Sequence, residues 1–579
     1  MINKKLSSYY GFIANKSPNL YLFIIFLGVF TGAAYAFLFP VIFYSFVPQD
    51  FLVPQLDGQT NYNFFNSPNS NIAILFMINC AVIYCSKLIS NISVSYLEQK
   101  ATLELKNNLY ETISNASSFD IERIGTEKLT LALDADVSNA VAGSLTIPAM
   151  ITSFVTVVGL LSYLAYLNSN VFSLVIVFVV LGIAIYRVLV KFAQNYFRRS
   201  RETYDSLQES VAALISGAKE LKVNSGKRKL LFSEGLDANQ TLSSTQYLKG
   251  RIIYFCASGV TDIMLFAIIG IAAFHLSYVY FIDLNSQIGI VMVLLYLTGP
   301  IVNLVNSAYV FFSGKVSFNK ILALVAKLPG EGINANATPL REWNTLSLHN
   351  VSYAYEGDNG ESFKVDRIDL TLKKGEVVYL VGGNGSGKST LAKLITMHHF
   401  ASSGYLMLGE TKINKDNVEA ARQHVGIVFT DFFLFKKIYG YKEQYKSVVE
   451  RYLKFFCLDH KVTVNDSGEF STLALSDGQR KRLALLAAIL EDKDIYVFDE
   501  WAADQDPQFK KIFYEKIIPE LQQKNKIILL ITHDDSYFHL ADRVIHMDYG
   551  VITSVEFPGA IAANLLKLEH SAYTAEPIA

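Results

Sequence analysis

The sequence predicts a multi-domain chain: an all-α transmembrane domain of six helices, followed by an α/β domain of the P-loop type. Three observations predict it. Six long apolar segments crowd the first half, a glycine-rich loop stands between a short apolar strand and a helix, and beyond about residue 345 short apolar strands alternate with helices. Alternation of that kind marks an α/β architecture. Composition agrees, being 51% hydrophobic and 18% charged over 579 residues, more apolar and less charged than a soluble protein of average make-up.

The apolar segments are Leu20–Phe46, Asn71–Leu97, Ile147–Leu167, Val171–Ala193, Ile252–Phe281 and Ile288–Phe312. Each reaches the roughly 20 residues that a helix needs to cross a bilayer. The first follows Lys4 and Lys5 and contains Ala34-Tyr35-Ala36, as a secretory signal would. Its apolar run continues through Phe37–Phe46, which suits a span better than a cleaved leader. The connections Val47–Ser70, Asn168–Asn170 and Ile282–Gln287 hold no Lys or Arg, whereas Lys4, Lys5, Lys16, Lys100, Lys106, Arg123, Lys128 and the cluster around Arg198–Lys229 fall on the other side. Positive charge marks the cytoplasmic face, so both termini are expected inside. A net charge of −1 gives no general attraction to nucleic acid, and none is expected as partner. Three of the four cysteines lie in apolar segments, where burial explains them better than disulfides or metal.

Two inner connections are long, Glu98–Thr146 and Gln194–Gly250, and both carry apolar residues at three- and four-residue spacing. They are expected to extend the membrane helices into the cytoplasm, joined by short turns that touch a cytoplasmic domain. Inside the spans stand Lys87, Asp262 and His275. Such groups face a bundle interior or wet cavity, and Lys87 and Asp262 lie at similar depth, where they either pair or meet interfacial water. Gly299-Pro300 should kink the sixth span. Glycine, proline and charge return at Gly314–Thr338, which divides the chain into a membrane domain (1–315), a linker (316–344) and a cytoplasmic domain (345–579).

Gly382–Thr390 reads GGNGSGKST, with Val377–Val381 before it and Leu391–Met397 after it. Glycines let successive N–H groups curl around phosphate oxygens, the lysine brings a positive charge to the β/γ-phosphates, and the next hydroxyl ligates Mg²⁺. Gly382, Asn384, Gly385, Ser386, Gly387, Lys388, Ser389 and Thr390 are therefore expected to bind ATP, with Ser389 also on the metal. Tyr353 and Tyr355 precede the P-loop strand, and an aromatic there stacks on a base; Tyr355 is assigned to the nucleotide. Ile495–Phe498 is a buried strand ending in Asp499-Glu500. Asp499 is placed to hold Mg²⁺ and Glu500 to polarise the attacking water. Ile527–Thr532 ends in His533, placed to reach the γ-phosphate. Ser476 and Gly478, ahead of the amphipathic Leu483–Leu490, offer a second anion site at a helix N-terminus.

The order of these motifs resembles that of ATP-binding cassette proteins. Gly382–Ser389 is similar to Walker A, Leu475–Gln479 to the signature motif, Val497–Glu500 to Walker B, Ala503–Asp506 to the D-loop and His533 to the switch histidine. Six spans ahead of one cassette is the layout of an exporter half-transporter. The resemblance implies a homodimer in which Ser476, Gly478, Gln479 and Asp506 of one copy complete the ATP site of the other, with Lys388, Glu500 and His533 as catalytic groups. It implies coupling helices around Asp120–Gly125 and Ala212–Lys222. Thr430 stands where the family carries a glutamine that contacts Mg²⁺, so direct metal contact there rests on a shorter hydroxyl, or on Asp431 through water. Asp477 replaces a common glycine and must point away from phosphate to be tolerated.

DEWAADQDP at Asp499–Pro507, LSDGQRKRLAL, VFTDFFLF and Gly217–Asn224 are similar to the cyclic-peptide and siderophore-peptide exporters, which handle pyoverdine precursors, syringomycin-type lipopeptides and microcin-type lasso peptides. That implies ATP-driven export of a peptide-like metabolite across the bacterial inner membrane by alternating access. A lipid or amphiphile flippase or multidrug exporter of the same layout, and an ATP-binding membrane regulator, are the alternatives.

Overall fold

The computed structural model describes Tyr9 and residues 17–46, 70–276, 279, 282–331, 340–354, 364–442 and 445–558. Among these, six helices are long and apolar enough to cross a membrane. In chain order the helices are α1 (Pro18–Phe46), α2 (Ser70–Ser114), the short α3 (Ser118–Ile124), α4 (Thr126–Leu167), α5 (Ser169–Ser216), the short α6 (Ala218–Val223), α7 (Ser225–His275) and α8 (Leu284–Ala326). Contacts divide the chain into two compact units, Met1–Asn108 with Thr130–Ala323, and Leu109–Leu129 with Leu324–Ala579.

In the first unit the helix spacing decides the packing. Leu160 and Leu164, Val171 and Val175, Ile268 and Ala272, and Ile290, Val293, Leu294 and Leu297 recur at three- and four-residue steps and meet in one buried cluster. Between α4 and α5 the turn is a single residue, Asn168, whose side chain caps α5 by accepting from the N–H groups of Asn170 and Val171 at 3.0 and 3.1 Å. Small residues let α1 approach α4: a Cβ on Gly32 would stand 2.6 Å from the Thr152 carbonyl. Polar side chains bind helices across the bundle, with Thr31 donating to Ser86 at 2.9 Å and Asn79 to the Ala34 carbonyl at 3.0 Å. Of the two alternatives for Lys87 and Asp262, pairing is not found: they form no ion pair. Depth says nothing about azimuth: α7 packs along α5, while Lys87 lines a cavity with α1, α4 and α8. The helix α8 continues through Pro300 and on to Ala326, into the stretch expected as linker, because Phe318, Ile321 and Val325 are buried at helical spacing.

The second unit holds two sheets. A four-stranded antiparallel sheet runs β2-β1-β4-β5, with β1 (Thr345–Ala354), β2 (Lys364–Lys373), β4 (Ser403–Leu408) and β5 (Thr411–Lys412). The six-stranded sheet runs β10-β9-β3-β8-β7-β6, with β3 (Val377–Val381), β6 (Val425–Val428), β7 (Ile495–Asp499), β8 (Ile527–Ile531), β9 (Arg543–Asp548) and β10 (Val551–Glu556). Its strands are parallel except β10. β3, β7 and β8 are buried along their whole length, which is why they read as unbroken apolar runs. Helices of this unit are α9 (Lys388–Ile395), α10 (Val418–Arg422), α11 (Lys446–Phe455), α12 (Asp477–Leu490), α13 (Pro507–Ile512) and α14 (Ile518–Gln523).

The short helix α3 belongs to this unit. Ser117 caps it, accepting from the Asp120 N–H at 3.1 Å. Glu122 pairs with Lys393 of α9 at 3.3 Å, and the Phe119 ring meets His399 edge-on at 6.0 Å. The Glu331 N–H donates to the Asn115 carbonyl at 2.9 Å while its carboxylate binds Arg422, which also donates to the Met397 carbonyl. Burial, followed by the charges of Lys393 and His398, pushes the His399 imidazole down to about 4. The folded unit therefore holds His399 neutral, whereas an unfolded chain protonates it below about 6.5. Between those values the unfolded state binds more protons, so stability is lost as pH falls. The melting temperature of the full chain should drop between pH 6.5 and pH 4.5, with a shallower slope in His399→Gln.

Candidate nucleotide site

Parallel register brings the chemistry to one sheet edge. Asp499 lies opposite Ile531, and Leu380 opposite the same Ile531, so the P-loop, Glu500 and His533 all leave from the same ends of neighbouring strands. Within the P-loop the backbone takes left-handed values at Gly385 (φ 78°) and Gly387 (φ 102°), where a side chain is strained. A Cβ at Gly382 would collide with the Met547 carbonyl oxygen. Lys388 begins α9, is buried, and donates to the carbonyls of Gly382 and Gly383 at 3.0 and 2.9 Å. An ammonium has three donors, so one remains for a further acceptor.

Asp499 is 4% exposed and its Oδ1 has no partner; the buried Ser386 hydroxyl also has none. Burial raises the Asp499 carboxyl above its ordinary range, and the Glu500 and Asp431 charges push the same way, against a hydrogen bond from Ser389 and the charge of Lys388. Glu500 sits at φ 47°, an unfavourable region for a non-glycine residue. It is held there by its N–H on the Ile531 carbonyl at 3.1 Å and by Lys481 on its own carbonyl at 3.2 Å. His533 Nε2 lies 3.4 Å from Glu500 Oε1.

Thr430 is placed beside this edge, its hydroxyl donating to the Asp499 carbonyl at 3.2 Å. Asn384 and Thr390 lie on the loop and the first turn of α9. Tyr355 falls outside the described residues. Tyr353 stacks on His399, 4.8 Å between centroids and 5° between planes, so one face of its ring is already covered by a neighbour.

The start of α12, expected as a second anion site, is built differently. Ser476 and Gln479 form a reciprocal capping box at the start of α12, so two donors of the helix end are already satisfied. Asp477 points outward with its side chain 87% exposed. Gly478 packs against the loop that follows β7, where a Cβ would come 2.7 Å from the Asp504 carbonyl. Gln505 donates to the Gly478 carbonyl at 3.0 Å and accepts from Arg482 at 2.9 Å. Asp506 caps α13 through the Phe509 N–H at 2.9 Å and binds Arg482; that N–H and the guanidinium hold its carboxyl below the ordinary range.

Sequence reasoning missed three members of this assembly. Buried Lys481 pairs with Asp504 at 2.7 Å, and Gln505 bridges α12 to the loop. Trp501 donates its indole N–H to the Lys481 carbonyl at 2.9 Å and stacks on Phe513 at 4.3 Å. A basic run such as Arg480-Lys481-Arg482 reads as a solvated face, and no local pattern marks one of its members as buried.

A P-loop ATPase fold carried behind six membrane-length helices defines an ATP-driven membrane transporter. The profile of the family described as ABC transporter matches residues 365–503. The chain is 33% identical to the ATP-binding protein SyrD of Pseudomonas syringae pv. syringae, over 79% of its own length and 84% of that protein's. The chain belongs to the ABC transporter family, as an exporter whose ATPase drives transport. It is 26% identical to an ATP-dependent lipid A-core flippase of Shewanella frigidimarina over 94% of both chains, and 24% identical to that of Thiobacillus denitrificans over 83% and 84%. In structure it resembles a bacterial Atm1-family ABC exporter with ATP bound, with a TM-score of 0.74 at 16% identity, covering 98% of this chain and 100% of that one; the likeness is one of fold.

Proposed function

We propose that the chain acts as a homodimer in the bacterial inner membrane, cassettes on the cytoplasmic side, exporting a peptide-like metabolite of the cyclic, nonribosomal or siderophore-precursor kind. The observation that carries the energetic part is the pair of buried, unpartnered oxygens, Asp499 Oδ1 and Ser386 Oγ, beside Lys388. Burying a polar group without a partner is costly, and a phosphate with its cation would satisfy both. The donor set fits Mg²⁺, since Ser389 and Asp499 offer hard oxygens. Mg²⁺ supplies neutralisation of charge on the β- and γ-phosphate oxygens. Lys388 turns its free donor toward the same phosphates, and the P-loop N–H groups hold them in place. Glu500 accepts the proton of the attacking water, with His533 steadying the γ-phosphate. Thr430 supports this edge by fixing the Asp499 carbonyl, and its hydroxyl keeps lone pairs for a water on the metal. The α12 N-terminus of the second copy, with Ser476, Gly478 and Gln479, closes the site, and Asp506 holds it through Arg482.

The motif resemblance to cyclic-peptide exporters supports the cargo class, as does the higher identity to SyrD than to the two flippases. The flippases' longer coverage, up to 94% of this chain against 79% for SyrD, favours a lipid cargo as the second reading. The reconstituted protein should show ATPase stimulated several-fold by a cyclic lipopeptide and not by lipid A. Stimulation by lipid A alone would transfer the assignment to the second reading.

A further inference from the structure

The first unit carries a half-open cavity of about 640 Å³ between α1, α2, α4 and α8, a volume in the range that takes small-molecule ligands. Its lining is polar for a site among membrane helices. Among the described residues, Lys87 is the one charged residue in that lining, and no acid lines it. Asn91 lies one turn beyond Lys87 on α2, and Asn303 and Asn306 lie on α8. Among the described residues, none of these four side chains has a hydrogen-bond or ion-pair partner in the protein. Tyr35 and Tyr296 add two rings, 6.3 Å apart between centroids. An ionisable side chain within a span that faces a cavity marks a functional site.

We infer that Lys87, facing this cavity, is a specificity-determining residue that selects peptide-like cargo bearing a carboxylate. The inference rests on the peptide-export reading and adds a charge preference to it. A carboxamide both donates and accepts, so three of them match the alternating N–H and C=O groups of a peptide backbone. An ammonium with no acidic neighbour provides a charge-assisted hydrogen bond to a carboxylate.

The test is fluorescence anisotropy with the full chain in detergent. Its probes are a labelled cyclic hexapeptide carrying one glutamate and its glutamine counterpart. Wild type should bind the glutamate peptide roughly tenfold more tightly, the scale of one hydrogen bond to a charged group. Lys87→Gln should abolish the preference and Lys87→Arg should keep it. Unchanged binding of a fluorescent ATP analogue by both variants controls for folding. Equal binding of both peptides by wild type, or a preference untouched in Lys87→Gln, overturns the inference and leaves peptide export standing. If neither peptide binds wild type, while lipid A binds in a Lys87-dependent way, both the inference and the peptide reading fall.

Discussion

Lys388→Ala should cut ATP turnover by roughly 10²–10³-fold, the scale seen when one preorganised donor to developing charge is removed. The ammonium is buried and clasps the carbonyls of Gly382 and Gly383 at 3.0 and 2.9 Å, so the variant loses both the cation at the phosphates and a tie that shapes the loop. Those two losses separate experimentally. Lys388→Met restores the packing without the charge. If the charge matters most, methionine should be as inactive as alanine while its melting temperature returns toward wild type. ATPase of the reconstituted protein, measured beside a thermal scan, decides this; turnover within a few-fold of wild type in either variant would remove Lys388 from the site.

Glu500→Gln should lower turnover by roughly 10²-fold or more, as loss of a positioned general base does, while leaving ATP bound. The substitution keeps shape and alters charge, so the φ of 47°, held by the Ile531 carbonyl and by Lys481, survives it. ATP should then remain with the protein through gel filtration, and cross-linking should show paired copies that persist with nucleotide. Hydrolysis within twofold of wild type would show that another group takes the proton. His533, 3.4 Å away, would be the next to replace.

Much of this candidate site is legible in the sequence alone. The P-loop, Asp499-Glu500 and His533 each follow a short apolar run, and its length of about five residues, its β-branched content and its flanking breakers favour a buried strand over a helix. Strand ends in a parallel sheet share an edge, so three local patterns sufficed to bring those groups together. Asp477 is 87% exposed in the single chain, and which way it faces relative to phosphate depends on the second copy. Tyr353 did not follow: its position on β1 was readable, but its partner His399 lies far along the chain. The domain division likewise follows chain order when read from composition, whereas contacts join Leu109–Leu129 to the cassette unit.

By itself the sequence determined six membrane-length helices and the strand–loop–helix order that sets Gly382–Thr390, Asp499, Glu500 and His533 at one edge of a parallel sheet. These are encoded in spacings of a few residues, within one strand, turn or helix. Only the tertiary structure decided that Lys481 is buried against Asp504, that Gln505 locks Gly478, and that Lys87 lines a cavity instead of pairing with Asp262. The azimuth of a helix and the partner of a side chain depend on how distant segments pack, and local periodicity carries no record of that choice.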